Sequence, residues 1–505
     1  MNILLSMLKK LPEYEALLSA LEARQTVAVS GVSQIIRSHF ISALIAESER
    51  PALIVCQDDL AAQRAQAELA AFLGSTPPLL PARELTLYES ASVSREWEHR
   101  RMRLLYGLAT GKVKVLVASM EALSLRTVPR QTLFGGLVTL KCGAEYDLDS
   151  LTARLVRAGY SRTSLVEGVG QFALRGGILD VFSPAHDQPI RAEFFGDELD
   201  AMGFFDPLTQ RRTENLDEAV LLPVAETVPF LHPDGAEGLC KDLSALIARQ
   251  KRRKTPNTAL ISTLEGDIDK LQGGVPLTAA DRYMALIYPE FSTAADYVSR
   301  DAAVFFCDHG NLRRASKARM EDFGLSLDSY LQSGTLAGEL CEFYCTYDEL
   351  AGRFRENGAI YFDSFLSAQF PEELPPKRIL SVTAKQLPGY GGSLETAVQD
   401  LKHYVKNGFG CLVLCGGKRR GEILKGMLAE QSVDALLAFP ATRLPQAGQI
   451  LLADGSLPAG MEYPELKYAI LTEGQLMTRT APKKAARPKK ATNRKKLDSF
   501  TAMEH

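Results

Sequence analysis

The first 140 residues alternate short apolar runs with amphipathic helical stretches, and this order constrains the fold more than any other feature of the chain. Thr26 to Ser30 is a β-branched and apolar run broken by Gly31, after which Ile35, Ile36, His39, Phe40, Ala43 and Leu44 recur at helical spacing. Pro51 to Cys56 reads as a second buried strand. Asp58 and Asp59 can cap the next helix, which carries Leu60, Leu69, Phe72 and Leu73 and stops at Gly74. A further helix is expected over Ser94–Ala109 and a strand over Lys112–Ala118. Strand–helix–strand order of this kind builds a parallel sheet covered by helices.

Between Gly143 and Leu222 the period falls to two. Phe172 and Leu174, then Ile178, Asp180 and Phe182, then Ile190, Ala192 and Phe194 alternate around turns at Gly176-Gly177, Ser183-Pro184 and Gly196-Asp197. This predicts a small antiparallel β domain inserted into the α/β domain. The domains are expected at 1–142 and 223–340 for the two parts of that α/β domain, 143–222 for the insert, 341–476 for another α/β domain, and 477–505 for a basic tail. Strands of the 341–476 domain are expected at Ala359–Phe362, Arg378–Val382, Cys411–Cys415, Ala435–Phe439 and Tyr468–Leu471, with helices at Leu394–Lys406 and Arg420–Glu430. The basic cluster Lys251–Lys254 reads as a loop.

A chain of 505 residues with 46% apolar and 24% charged residues is an ordinary globular composition. No apolar run reaches the roughly 18 residues of a membrane-spanning helix. The N-terminus lacks the charge order of a secretory signal, so no membrane partner and a cytosolic location are expected. The net charge of −3 hides a tail, Ala481 to His505, with eight basic and two acidic residues, while the body is net acidic. The tail reads either as a solvated linker or as a phosphate-contacting arm. Cys341/Cys345 and Cys411/Cys415 are spaced by four rather than as C-x-x-C, and the seven histidines are scattered. Reduced, packed thiols and no metal site are therefore expected.

A nucleotide-binding loop needs G-x-x-x-x-G-K-[ST], because glycines let amides close on phosphate, the Lys reaches the outer phosphates and the hydroxyl holds magnesium. After the first strand this chain has Gly31 and Ser38 at the required spacing, but Ile36 replaces the second glycine and Arg37 the lysine. The partner motif is an apolar strand ending in Asp and Glu. Here Ala302–Cys307 runs into Asp308 and His309. Together the two lesions point to a nucleotide-hydrolase fold that has lost hydrolysis, with no cofactor and no catalytic residue. Gly417-Lys418 and Gly111-Lys112 lack the rest of the motif, and no Ser/His/Asp, Cys/His or paired-carboxylate constellation stands out. The fold class is thus α/β: a degenerate phosphate-loop (RecA-like) parallel-sheet domain, an inserted antiparallel β domain, a second α/β domain and a basic tail.

One stretch is far more specific. It runs Gly159-Tyr160-Ser161-Arg162, then Gly170-Gln-Phe-Ala-Leu-Arg175-Gly-Gly-Ile-Leu-Asp180-Val-Phe-Ser-Pro184, then Arg191-Ala-Glu-Phe-Phe-Gly-Asp-Glu198-Leu-Asp200, then Phe205-Asp-Pro-Leu-Thr-Gln-Arg211. It resembles the signature shared by the excinuclease component UvrB and the bacterial transcription-repair coupling factors. UvrB needs a working phosphate loop and a long aromatic hairpin. Here the loop is broken and only a short segment, Leu85 to Arg95, stands where the hairpin would be, so the resemblance favours the N-terminal region of the coupling factors. Gly455–Gly460 and Ala469–Leu476 resemble that family's later unit.

The resemblance implies a role in transcription-coupled nucleotide excision repair, with the β domain binding UvrA, the damage-recognition component of the excinuclease. In the whole family, RNA polymerase and double-stranded DNA are further partners, and ATP with magnesium drives a translocase motor. Leu497–Phe500 resembles the start of the polymerase-binding domain, so the chain is expected to be an N-terminal portion without the motor. Arg162 and Arg175 match motif positions implicated in the contact with UvrA, and Phe172 could anchor it beside them. Alternatively, Arg175 pairs with Asp180 or Glu193, and Phe172 belongs to the core. Two other functions stay open: a nucleotide-dependent repair enzyme resembling UvrB, and a general DNA-binding adapter acting through the tail.

Overall fold

Five-residue, fully buried strands such as Ala52–Cys56 and Ala303–Cys307 can sit only in the middle of a sheet covered on both faces. In the computed structural model, which describes residues 3–89, 94–366, 369–391 and 393–476, they do. A seven-stranded sheet runs in the order Arg378–Ser381, Val27–Ser30, Ile360–Asp363, Ala303–Cys307, Ala52–Cys56, Val115–Ser119, Leu79–Leu80. All of its pairings are parallel. The helix after the second strand forms as its signals dictate. Asp58 accepts a hydrogen bond from the Ala61 amide, and the helix Asp59–Leu73 ends at Gly74 with φ 74°.

The sheet corrects one expected boundary. Ile360–Asp363 and Arg378–Ser381 flank Val27–Ser30 on its two sides, with Val27 opposite both Ile360 and Arg378. They complete the first sheet rather than open a new domain at 341. The first unit thus extends through Gln386 and includes Met461–Leu466. Hydrophobic period tells that a segment is a strand; it carries no information on which sheet takes it up.

The insert also starts earlier than 143. Val138–Lys141 and Glu218–Leu221 pair antiparallel, Val138 opposite Leu221, and form its stem. Beyond the stem lies a six-stranded sheet ordered Arg212–Asn215, Glu198–Phe205, Ile190–Phe195, Ile178–Val181, Gln171–Arg175, Ser161–Arg162. Only its last pairing is parallel. Leu151 and Leu155 of the helix Leu148–Arg157 pack with Phe172, Leu179, Ile190 and Leu199 in one core.

The second unit comprises Leu387–Gly460 and the chain from Lys467. Gly410–Cys415 pairs in parallel with Ile450–Asp454 on one side and Tyr468–Thr472 on the other, and Leu436–Ala438 adds to Ile450–Asp454. Helices Leu394–Lys406 and Lys418–Glu430 supply Leu401, Leu424 and Leu428 to its core. Cys411 and Cys415 are buried there, and burial pushes both thiols up to about 12.

No helix among the described residues is long and apolar enough to cross a membrane. The basic tail Lys483–Lys496 and the Leu497–Phe500 segment lie outside the described residues, as do residues 90–93 of the Leu85–Arg95 segment.

Candidate functional site: a filled phosphate loop and an exposed sheet face

The loop that should cradle phosphate has become helix. Gly31 retains its left-handed backbone, φ 83°, but the helix Gln34–Ser48 begins three residues later. Ile36, Arg37 and Ser38 are therefore all helical, and the Arg37 amide donates to the Ser33 carbonyl at 2.9 Å rather than standing open to an anion. Ile36 is fully buried.

Gln34, Arg37, Ser38 and Asp308 are each bonded within the chain. Arg37 Nη1 donates to Asp308 Oδ2 at 2.7 Å and to the Phe362 carbonyl at 3.3 Å. Asp308 Oδ1 accepts from the Ser364 amide at 2.7 Å. Ser38 Oγ donates to Glu68, and Gln34 Nε2 donates to the other oxygen of the same carboxylate. Burial pushes the Glu68 carboxyl up, against Ser38 and Arg37, which favour its charged form. His309 is fully buried. Its amide and Nδ1 both meet Asp363, at 2.9 and 2.8 Å, and its ring stacks on Phe370 at 4.3 Å. Arg37 and Asp308 neutralise each other where a lysine and an acid would share phosphate and magnesium, and His309 has no route to water. These residues do not fit a nucleotide.

The insert presents the other site. Strand period two divides its sheet into a core face and an outer face. Phe172, Leu179, Val181, Ile190 and Leu199 point inward. Phe172 is 0% exposed, which removes it as a partner anchor: the strand that turns Arg175 outward turns Phe172 into the core.

On the outer face Asp180 is a buried hub. Arg175 Nη2 donates to its Oδ2 at 2.6 Å, while Arg191 donates through Nε at 2.7 Å and Nη2 at 2.9 Å. Arg191 is also bound to Gln210 and lies over the Phe205 ring at 4.4 Å. Arg191 is thus mostly covered, whereas the Arg175 side chain remains 48% exposed. Arg175 thus pairs with Asp180 and still faces solvent. Arg162 is exposed on the edge strand, in register with Phe172, so the sheet does not bring it to the face of Arg175.

Sequence reasoning missed the apolar part of this face. Ile178 lies opposite both Arg175 and Glu193 and is 39% exposed. Phe195, two residues beyond Glu193 on the same face, is 85% exposed. The signal was present in the Phe194-Phe195 pair, since alternation that turns Phe194 inward must turn Phe195 outward.

Residues 138–226 match the UvrB interaction domain family. Over its length the chain is similar to the transcription-repair-coupling factor of Bacillus subtilis (strain 168), 24% identical over 509 residues that cover 100% of this chain and 43% of the relative. It is also similar to those of Staphylococcus haemolyticus (strain JCSC1435), 24% identical with 94% and 40% covered, and Staphylococcus aureus (strain MRSA252), 23% identical with 99% and 42% covered. The chain spans less than half the length of these curated relatives. Residues 138–226 are thus similar to the UvrB interaction domain family, and the chain resembles the N-terminal region of the coupling factors.

Proposed function

We propose that this chain is the recruiting portion of a transcription-repair coupling factor. The outer face of its 138–226 domain docks UvrA, and delivers it to RNA polymerase stalled at DNA damage. The observation that carries this reading is Arg175. It is half-exposed yet already held by the buried Asp180 and stands opposite Ile178, while the almost fully exposed Phe195 lies two strands away on the same sheet face. A guanidinium fixed before binding loses little freedom on docking and offers its remaining donors to a partner carboxylate. An exposed aromatic on the same face supplies the apolar centre around which binding energy concentrates.

The degenerate loop supports a non-catalytic role. With Arg37, Ser38 and Asp308 committed to partners in the chain, nucleotide binding and hydrolysis fall to parts of the coupling factors outside this chain, as do contacts to polymerase and double-stranded DNA. The reading places the protein in the cytoplasm, where transcription and repair meet.

Calorimetric titration of the purified chain with UvrA tests the proposal, beside Arg175→Ala and an ATP control. Micromolar or tighter binding, weakened at least about tenfold by the substitution, or about 1.4 kcal/mol, is expected, with no heat from ATP. ATP binding without UvrA binding would favour instead a nucleotide-dependent enzyme resembling UvrB.

A further inference from the structure

Two cysteines stand at the carboxyl ends of neighbouring strands in the middle of the main sheet. Cys56 ends Ala52–Cys56, and Cys307 ends Ala303–Cys307. The strands run parallel with Val55 opposite Phe306, so the next residue of each brings Cys56 and Cys307 side by side. Adjacent strands lie about 4.8 Å apart, within the roughly 4.4–6.8 Å between Cα atoms that a disulfide spans. Opposed residues of a parallel pair also point to the same face. Both are free thiols.

The pair does not sit in a closed core. With Gln34, Arg37, Asp308 and Asn311 it lines a cavity of about 210 Å³. A water occupies about 30 Å³ of liquid, so the cavity holds a small polar reagent easily. Of the two thiols Cys307 is the less covered, 8% exposed against 2%. Among the described residues no other two cysteines occupy opposed positions of adjacent strands: Cys411 faces Ile450 and Ala469, and Cys415 faces Asp454. Docking through the insert gives this arrangement no task.

We propose that Cys56 and Cys307 form a modification site for small peroxides, which closes to a disulfide between the two strands. Cys307 gives up its proton and its sulfur attacks the O–O bond of hydrogen peroxide. An S–O bond forms, the O–O bond breaks, and the departing hydroxide takes up the proton as water. The Cys56 sulfur then displaces the hydroxyl from the Cys307 sulfenic acid. The S–S bond forms, and the hydroxyl leaves with the Cys56 proton as a second water. Two thiols lose two electrons and one peroxide is reduced to two waters. Arg37 lines the same cavity and favours the Cys307 thiolate, against burial and the carboxylate of Asp308, with which it is paired. A reducing cytosol returns the pair to thiols, as for other transient intracellular disulfides.

The test treats the full chain with stoichiometric hydrogen peroxide, alkylates it under denaturing conditions and maps the peptides. Two of the eight thiols should disappear, in a peptide pair joining Cys56 to Cys307, and dithiothreitol should restore them. The loss of Cys307 should run at least tenfold faster than that of the buried Cys345. In Cys56→Ser, Cys307 should stop at a sulfenic acid trapped by dimedone, whereas Cys307→Ser should abolish both products. Circular dichroism checks that the variants fold; if either does not, the map of the unmodified chain still decides. Oxidation of Cys142 or Cys240 ahead of the pair, a different pairing, or loss of Cys307 no faster than Cys345 would overturn the proposal.

Discussion

Arg37 Nη1 lies 2.7 Å from Asp308 Oδ2, an ion pair that joins the helix after the first strand to the end of the Ala303–Cys307 strand. The two residues stand where a nucleotide hydrolase would place its phosphate-binding lysine and its magnesium-organising acid. Here each satisfies the other on the wall of the cavity that Cys56 and Cys307 also line.

Restoring the motif letters should not restore the site. In Ile36→Gly/Arg37→Lys the helix still starts at Gln34, so a fluorescent ATP analogue is expected to bind no better than to the unmodified chain. The variant should instead lose about 3–5 kcal/mol in urea unfolding, from the emptied volume of a fully buried isoleucine and a helical glycine. Micromolar ATP binding would show that the loop reopens.

Asp180 should matter more to stability than either arginine it holds. Its side chain is 1% exposed, and removing it leaves Arg191 largely covered and unpaired. Asp180→Ala is expected to cost about 3 kcal/mol in chemical denaturation. Arg175→Ala should cost well under that, because half of the Arg175 side chain faces solvent and its share of the pair is screened.

A second buried network ties the exit of the insert to the helix Glu96–Ala109. Burial alone would raise the Glu226 carboxyl, but the guanidiniums of Arg101 and Arg83 outweigh it and hold it below the ordinary range. Arg101 Nε lies 2.6 Å from Glu226 Oε1, and both side chains are 0% exposed. Glu226→Ala strands the buried Arg101, while Arg83 keeps Asp281, and should destabilise by about 3–5 kcal/mol, read as a fall in melting temperature. A shift no larger than that of a surface substitution would contradict the assignment.

His39 sets a pH dependence. It is fully buried, with Nε2 on the Leu4 carbonyl at 2.9 Å, Nδ1 on the Tyr463 hydroxyl at 2.7 Å and its ring stacked on Phe72. Burial lowers it to about 4, against the Leu4 carbonyl, which favours the charged form. The unfolded chain, with an ordinary value near 6.5, therefore binds the proton first as pH falls. Stability from this group is complete above about pH 6.5 and is lost between there and about pH 4, up to about 3 kcal/mol in all. Denaturation midpoints measured across that window should flatten in His39→Phe relative to the unmodified chain.

Much of this was legible in the residues, and the gaps have physical causes. The helix Asp59–Leu73 carried its cap and its stop, and Leu394–Lys406 stands where its periodicity placed it. The degenerate loop could be read letter by letter, and the helical spacing that begins at Ile35 already marked the helix that the structure starts at Gln34. The stem strand Val138–Lys141 and the strand Ile450–Asp454 escaped because short apolar runs are ambiguous without a partner. Sheet membership of Arg378–Ser381 is a long-range property that period cannot encode. Phe172 and Phe195 were both within reach of alternation. Their exchange of roles follows from parity in two strands that the sequence had already marked.

The central claim is that the outer face of the insert, and not its core, recognises UvrA. Phe195→Ala and Phe172→Ala separate the two. Phe195 is 85% exposed, and its removal should leave stability within about 0.5 kcal/mol, while Phe172→Ala should cost about 3–5 kcal/mol by opening a core cavity. The most direct measurement is the dissociation constant of UvrA for the folded Phe195→Ala chain against the unmodified one. A rise of about tenfold or more at unchanged melting temperature is the result the account predicts; equal affinity of the two chains would contradict it.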